Sequence, residues 1–296
     1  MKLTLKYKKL YINIDTDCTT DMILEQLYQS KKNRYLLYPE GKISISKETI
    51  KQNTAVKKGD IVCIQLPEVE DDIEPDFTPI DICYEDDIFL AVNKPSTLLV
   101  HSDGTNTAHT LSNRVKAYYM QQGYQIPVRP LHRLDIETSG LVLFCKIPFF
   151  QPMLDTMLKD KKIHREYIAL IQGHLPRNHM TINKPIGRDR HNAKKMRISN
   201  TGKPACTDVM TIKKYKNFSM VHCILHTGRT HQIRVHLSSI QHPLLSDPLY
   251  GTKDTRIQRL ALHAFRLKFY HPILQKELCV ECTMPADITK VIQQGS

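Results

Sequence analysis

Residues 67–81, Pro-Glu-Val-Glu-Asp-Asp-Ile-Glu-Pro-Asp-Phe-Thr-Pro-Ile-Asp, hold seven acidic side chains, three prolines and no Lys or Arg. Proline removes backbone donors and clustered carboxylates repel one another, so such a stretch resists regular structure and reads as a linker. It divides the 296-residue chain into a small unit, 1–66, and a large unit, 82–296, each with a core of its own.

The division also locates the charge. The chain carries 42 Lys plus Arg against 30 Asp plus Glu, a net charge of +12 and a pI near 9.2. The small unit takes 12 basic and 7 acidic residues, which leaves 30 and 16 beyond residue 81. Most of the positive excess therefore lies in the large unit. A polyanion is the natural partner, with nucleic acid ahead of a membrane surface because no basic amphipathic helix stands out. A merely basic soluble protein is the plainer alternative. No apolar run of about 18 residues is present, and the N-terminus alternates charge without an apolar signal core, so a cytoplasmic protein is expected. Eight scattered cysteines suit reduced thiols. Cys279-Val-Glu-Cys282 has redox or metal spacing, but it sits in a strand-like pattern that turns residues three apart to opposite faces.

In the small unit Leu3, Leu5 and Tyr7 mark a strand. Asp15-Thr-Asp-Cys-Thr-Thr20 can cap a helix bearing Ile23, Leu24, Leu27 and Tyr28. A short hairpin follows around Glu40–Ile45, and Lys57-Lys-Gly-Asp60 turns into a last strand. That order resembles the small RNA-binding module first described in a ribosomal protein and called the alpha-L motif.

In the large unit, Arg129-Pro-Leu-His-Arg-Leu-Asp-Ile-Glu-Thr-Ser-Gly-Leu-Val-Leu-Phe144 joins a polar, turn-prone segment to an apolar run that reads as a buried strand. Asp135 and Arg133 then sit in a loop held by a rigid element, a frequent place for catalytic groups. On spacing alone they could equally be a surface pair capping a loop. Strands flank Glu85-Asp-Asp87, and a helix capped near Thr107 or Thr110 buries Leu111 and Val115. Pro152–Lys162 reads as a helix and Tyr167–Ile171 as a strand. From Ile182 to Thr207 the chain is a basic loop with Lys184, Arg188, Arg190, Lys194, Lys195, Arg197 and Lys203. It is either a solvated surface or a phosphate contact. Thr230 can cap a helix with Ile233, Leu237 and Ile240 buried and His231, Arg234 and Ser238 on another face. Two strands, around Leu262–Phe269 and Glu277–Thr283, close the unit.

His222, His226, His231 and His236 do not share one helix face, and H-E-x-x-H is missing. Phosphate-cradling glycine loops and G-x-S-x-G are missing as well. What remains is one Asp in a rigid loop, arginines and a basic surface, which suits chemistry on a nucleotide.

His132-Arg-Leu-Asp-Ile-Glu-Thr-Ser-Gly-Leu-Val-Leu143 resembles the signature of the pseudouridine synthases of the ribosomal large-subunit type. Asn93-Lys-Pro-Ser-Thr-Leu-Leu-Val-His101, His164-Arg-Glu-Tyr-Ile-Ala-Leu170, Gly228-Arg-Thr-His-Gln-Ile-Arg-Val-His-Leu237 with His242–Gly251, and Leu262-His-Ala-Phe-Arg-Leu267 resemble its other motifs in order. Ser246 and Thr97 stand where that family usually has Gly.

The resemblance implies an α+β fold, with a mixed, largely antiparallel central sheet, flanking helices and the cleft across its middle. It implies conversion of uridine to pseudouridine in structured RNA, ribosomal RNA of the large subunit first and transfer RNA second, without cofactor or required metal. It makes Asp135 the catalytic carboxylate, Tyr167 the side chain packed on the base, and Arg234 the cation paired with Asp135. Arg133 would fill the gap left by the flipped uridine. His132, Arg229, His231 and Lys94 belong with it on the RNA-facing side, joined by Arg188, Lys195 and Arg197 from the basic loop. A monomer is expected. The runner-up is an RNA-binding or ribosome-assembly protein that has lost activity, against which the intact Asp135, Tyr167 and Arg234 argue.

Overall fold

The computed structural model describes residues 1–6, 8–67, 69, 71–105 and 107–295. Alternating apolar and charged side chains at the start give β1 (Lys2–Lys6) and β2 (Lys9–Asn13), an antiparallel pair that turns Leu3, Leu10 and Ile12 inward. Tyr7, placed on the first strand by pattern, lies outside the described residues. β3 (Cys18–Thr19) leads into α1 (Thr20–Gln26), where the Thr19 hydroxyl accepts the Met22 N–H in the expected cap. α2 (Lys31–Leu37), capped by Ser30, has no counterpart in the sequence expectation. It buries only Arg34 and Leu37, so no apolar stripe announces it. The expected hairpin is β4 (Ile43–Ile45) and β5 (Glu48–Ile50); β6 (Ala55–Val56) pairs with β3, and β7 (Ile61–Gln65) follows the glycine turn. The sheet order is β1-β2-β7-β4-β5.

The acidic stretch is tied down where a free spacer was expected. Asp71 accepts from Lys116 Nζ at 2.7 Å and from the Val128 N–H. Asn113 Nδ2 donates to the Glu74 carbonyl at 2.7 Å, and the Asp76 N–H returns a bond to the Asn113 carbonyl. Its acidity thus serves a strap across α3 (Leu111–Gln121), the helix whose Thr110 makes a full capping box with Asn113.

β8 (Asp81–Glu85) and β9 (Phe89–Lys94) precede α3; β10 (Arg129–Pro130) and β11 (Ser139–Cys145) follow it. A 3₁₀ turn then enters α4 (Gln151–Lys159), which stops short of the expected Lys162 because Lys161 adopts a left-handed conformation before β12 (Ile163–Gln172). The basic segment proves to be partly ordered as strands. β13 (His179–Asn183) leads to a separate hairpin of β14 (Ile186–Arg188) and β15 (Met196–Ile198), then to β16 (Cys206–Lys214) and β17 (Phe218–Leu225). α5 (Gln232–Ser238), β18 (Leu262–His271), β19 (Lys276–Glu281) and the unforeseen α6 (Ala286–Gln294) complete the chain. The large sheet runs β13-β16-β17-β12-β18-β11-β9-β8, with β10 on β11 and β19 on β18. β11 runs parallel to β18 while its other neighbours are antiparallel. The fold is the expected α+β class with a mixed, largely antiparallel sheet.

Every residue of β11 is buried, because the sheet is covered on both faces here. Leu141, Leu143 and Cys145 face α4 and the small unit; Val142 and Phe144 face α3, with Tyr167, Ala169 and Ile233 further along that side. Burying each such Leu or Phe is worth about 1.5–3 kcal/mol, so the strand is a stiff base for the loop before it. The small unit does not keep a separate core. One apolar cluster runs from Leu10, Ile12 and Leu27 to Phe149, Leu154 and Leu143, and Gln29 Nε2 donates to the Phe149 carbonyl at 2.7 Å. Gly140 enables the tight approach of β11 to β18: its φ is 118°, and a Cβ there would lie 2.2 Å from the Ala264 carbonyl oxygen.

Candidate active site

The loop carrying Asp135 is closed from within. The Thr138 N–H donates to the Asp135 carbonyl, and Lys94 Nζ donates to the carbonyls of Pro95, Leu98 and Ile136 at 2.9, 2.8 and 3.2 Å. Lys94 is therefore a fully buried brace between β9 and the loop, which removes it from the RNA-facing set. Burial pushes its pKa down to about 7, against the pull of Asp135 and Glu137. His132 also leaves that set as a charged contact. Its Nε2 accepts the Leu143 N–H at 3.3 Å, and burial, followed by the nearby Arg165, lowers its pKa to about 3.

Across the cleft, β17 ends and the chain turns into α5. Thr230 is exposed and caps nothing. His231 holds the N-cap position at φ 56°, and the Gln232 side chain closes the turn instead, accepting from the Arg229 N–H and the Thr227 hydroxyl and donating to the Cys206 carbonyl. Helix α5 carries Arg234 inward, not onto a solvent face: it is 1% exposed. Its Nε and Nη2 donate to Asp247 Oδ2 and Oδ1 at 2.9 and 2.8 Å, and Asp247 is itself fully buried and accepts the Leu249 and Tyr250 N–H groups. The guanidinium also lies over the Tyr250 ring, 5.3 Å from its centre. Asp247, and not Asp135, is thus the primary partner of Arg234.

Arg234 does reach the loop. Its Nη1, buried without a hydrogen bond among the described residues, stands 3.6 Å from Asp135 Oδ2 and 3.6 Å from Glu137 Oε2. Burial works against the Arg234 charge, but the bonds and charge of Asp247, then the charges of Asp135 and Glu137, outweigh it and raise its pKa. A bidentate pair in a dry setting fixes both orientation and charge.

A cavity of about 240 Å³ opens between the loop and α5, lined by Asp135, Tyr167, Arg133, Arg165, Arg229 and His231 among others. Tyr167 is 5% exposed on β12, and burial raises its pKa, so the phenol is neutral and offers a flat wall. Gly228 leaves room for Arg165, since a Cβ there would lie 2.8 Å from its Nη1. Arg133 is exposed at the mouth. Arg229 Nε donates to the Pro204 carbonyl at 2.9 Å, which ties it to the segment before β16. Arg188 and Arg197 are exposed on the β14–β15 hairpin, and Lys195 Nζ sits 5.8 Å from the centre of the Tyr250 ring.

The structure brings Asp135, Tyr167, Arg234 and His231 to one cavity and adds residues that pattern reading passed over. Asp247, Tyr250, Glu137 and Arg165 all lie within quoted motifs. A carboxylate in Ser246–Gly251 reads as a turn residue, and nothing in its spacing signals total burial. The four histidines near β17 and α5 go to separate partners: His222 to Glu166, His226 to Asp208, His231 to Tyr250 and His236 to Thr207. Cys279 is exposed while Cys282 Sγ turns to His263 Nε2 at 3.3 Å, so the C-x-x-C pair is split as its strand setting implies. No helix among the described residues is long and apolar enough to cross a membrane.

A carboxylate beside a locked arginine, in a cleft rimmed by cations, suits chemistry on a polyanion. The family described as RNA pseudouridylate synthase matches residues 88–239. An uncharacterized RNA pseudouridine synthase of Bacillus subtilis, YhcT, is 39% identical over 249 residues, covering 83% of this chain and 82% of that protein. The ribosomal large subunit pseudouridine synthase D of Neisseria meningitidis serogroup B is 36% identical, covering 84% and 70%. Among solved structures, human RNA pseudouridylate synthase domain containing 1 superposes with a TM-score of 0.59 at 27% identity, covering 71% of this chain and 84% of that one. The chain belongs to the RNA pseudouridylate synthase family. It is an RNA pseudouridine synthase, an isomerase.

Thr97 and Ser246, the two departures from that family's glycines, have φ of 65° and 52°. Both positions require the left-handed region, which explains the usual Gly. Ser246 gains a use for its side chain, whose hydroxyl donates to the Ile257 carbonyl at 2.6 Å.

Proposed function

We propose that the protein isomerises uridines in large-subunit ribosomal RNA, with Asp135 as the reacting carboxylate. The observation that carries this is Asp135 in a small cavity between the neutral Tyr167 ring and Arg234, which Asp247 holds immobile. The target nucleotide turns out of its stack into the cavity. Its base packs against Tyr167, and Arg133 at the mouth occupies the space it leaves. The N1–C1′ bond breaks, the base turns, C5 bonds to C1′, and the C5 proton passes to solvent while N1 takes one up, so that the product is an isomer of the substrate. Asp135 serves this by attacking C1′ or by taking the C2′ proton. Arg229 and the β14–β15 hairpin hold phosphates, and the basic small unit extends the RNA contact. The protein acts as a cytoplasmic monomer. The ribosomal target is supported by relatives named for the large subunit, such as those of Neisseria and Zymomonas mobilis, the latter 36% identical over 271 residues.

The test is to map pseudouridines by chemical labelling and primer extension in RNA from cells with and without the protein. Loss of specific large-subunit sites is expected. Loss confined to transfer RNA would redirect the substrate, and an unchanged map would refute the reading.

A further inference from the structure

His231 is held in a way that RNA contact alone does not require. It is a non-glycine residue at φ 56°, a conformation that persists only when its surroundings enforce it. Its Nδ1 lies 2.8 Å from the Tyr250 hydroxyl, and that hydroxyl oxygen lies 2.7 Å from the backbone N–H of Met196 on β15. Its Nε2 points to Asp135 Oδ2, 4.0 Å away.

We propose that His231 and Tyr250 are positioning residues for Asp135: a hydrogen-bond chain from the β15 backbone through the Tyr250 hydroxyl fixes the imidazole tautomer that presents Nε2–H to the carboxylate. The direction of the chain follows from its first link. A backbone N–H can only donate, so the Tyr250 oxygen accepts from Met196, and Nδ1 is the one acceptor within reach of its own proton among the described residues. The reverse tautomer would leave the Tyr250 hydroxyl proton without an acceptor among the described residues. With Nδ1 accepting, the neutral ring carries its proton on Nε2, facing Asp135. Burial, opposed by Asp135, lowers the His231 pKa and favours that neutral ring. Asp135 Oδ2 then has Arg234 Nη1 at 3.6 Å on one side and the imidazole N–H on the other. Closure by about 1 Å turns the imidazole approach into a hydrogen bond. The chain starts on the hairpin that bears Arg188, Lys195 and Arg197. Seating that hairpin on RNA therefore sets the far end of the chain that steadies the carboxylate.

This inference rests on the role given to Asp135 above. The experiment uses the full-length protein and a large-subunit ribosomal RNA transcript labelled with tritium at uridine C5, and follows tritium release under single-turnover conditions. A catalytic group misplaced by about 1 Å loses up to about 100-fold in rate, so His231→Leu should be slower by roughly 30-fold at saturating RNA, where any change in affinity is removed. His231→Gln, which can return an N–H at the Nε2 position, should recover most of the rate. Tyr250→Phe should fall between the two. Ring ¹⁵N shifts of His231 in the RNA-free protein should report the proton on Nε2. The inference is overturned by a wild-type rate in His231→Leu, by equal losses in the Leu and Gln variants at saturating RNA, or by a proton on Nδ1. If Asp135→Asn is silent while His231→Leu runs at full rate, only the relay falls. If the wild-type protein releases no tritium, the functional reading falls and takes the relay with it.

Discussion

Arg234 and the arginines of the β14–β15 hairpin are the same side chain put to opposite uses. Arg234 is 1% exposed, doubly bonded to a buried Asp247 and packed over Tyr250. Arg188 and Arg197 stand in solvent on a two-stranded hairpin outside the large sheet, tied on one side by a bridge from Ile186 to Lys203. Taking a charge out of water costs several kcal/mol, and the geometry of the Asp247 pair offsets that cost. The return is an orientation that RNA binding cannot disturb. A solvent-exposed guanidinium pays little desolvation cost, moves freely, and gains only what counterion release supplies when it meets a phosphate. In the proposed function, chemistry falls to the buried cation and affinity to the exposed ones.

The sharpest way to break this division is at Asp135, where both would have to meet. Asp135→Asn keeps the shape and removes the charge. Tritium release should drop below detection, while RNA affinity by filter binding stays within about 3-fold. Equal losses in both would mean that the carboxylate works in binding. Next comes the buried side alone. Asp247→Ala leaves the Arg234 guanidinium buried with only the more distant Asp135 and Glu137 nearby. Denaturant unfolding should show a loss of about 3–5 kcal/mol, the range for breaking a buried pair on one side. A loss below about 1 kcal/mol would mean the pair is more hydrated than its burial implies.

The exposed side should respond in the opposite sense. Replacing Arg188, Lys195 and Arg197 by Gln should weaken RNA binding roughly 30-fold and flatten the dependence of log K on log salt by about 2–3, one phosphate contact for each charge. Stability should change by no more than about 0.5 kcal/mol per substitution. Single-turnover rates at saturating RNA should fall by less than the roughly 30-fold expected of His231→Leu, because the Met196 N–H to Tyr250 link is left in place.

The same contrast explains what could be read without coordinates. That Asp135, Tyr167 and Arg234 meet in one cleft was legible only through the family resemblance, since spacing alone does not single them out. The cleft across a mixed sheet followed from the same resemblance. Their surroundings were not legible, because burial is decided by segments far away in sequence. Lys94 carries the marks of a surface cation beside Pro95, yet the Ile136 carbonyl, brought by the loop before β11, converts it into a brace. Arg234 has the helical spacing of a solvent-facing residue, and only the return of Asp247 turns it inward. The strap at residues 71–76 was misread for a related reason. Composition records that a segment avoids helix and sheet, and not that Lys116, Asn113 and Val128 wait to receive it. Helix α2 buries too few positions to show a period, whereas α6 carries Ile288, Val291 and Ile292 at helical spacing and was passed over.

Protonation probes the buried region by itself, with the smallest expected effect. Below the cleft, His132 is kept neutral by burial, with a folded pKa of about 3 against an ordinary value of 6.5. Between those values the unfolded chain binds a proton that the folded protein refuses. Stability from this group is thus complete above pH 6.5 and declines as pH falls toward 3. The slope is about 1.4 kcal/mol per pH unit, so near pH 5.5 the cost is about 1.4 kcal/mol. Other buried histidines, His263 among them, add to the total in the wild-type protein. The difference between wild type and His132→Gln, whose amide oxygen can still accept the Leu143 N–H, isolates this one. Unfolding free energies at pH 7.5 and 5.5 should converge for the variant by about that amount. Identical pH slopes in the two proteins would mean that His132 takes up its proton in the folded state, and that the loop beneath Asp135 is wetter than its packing implies.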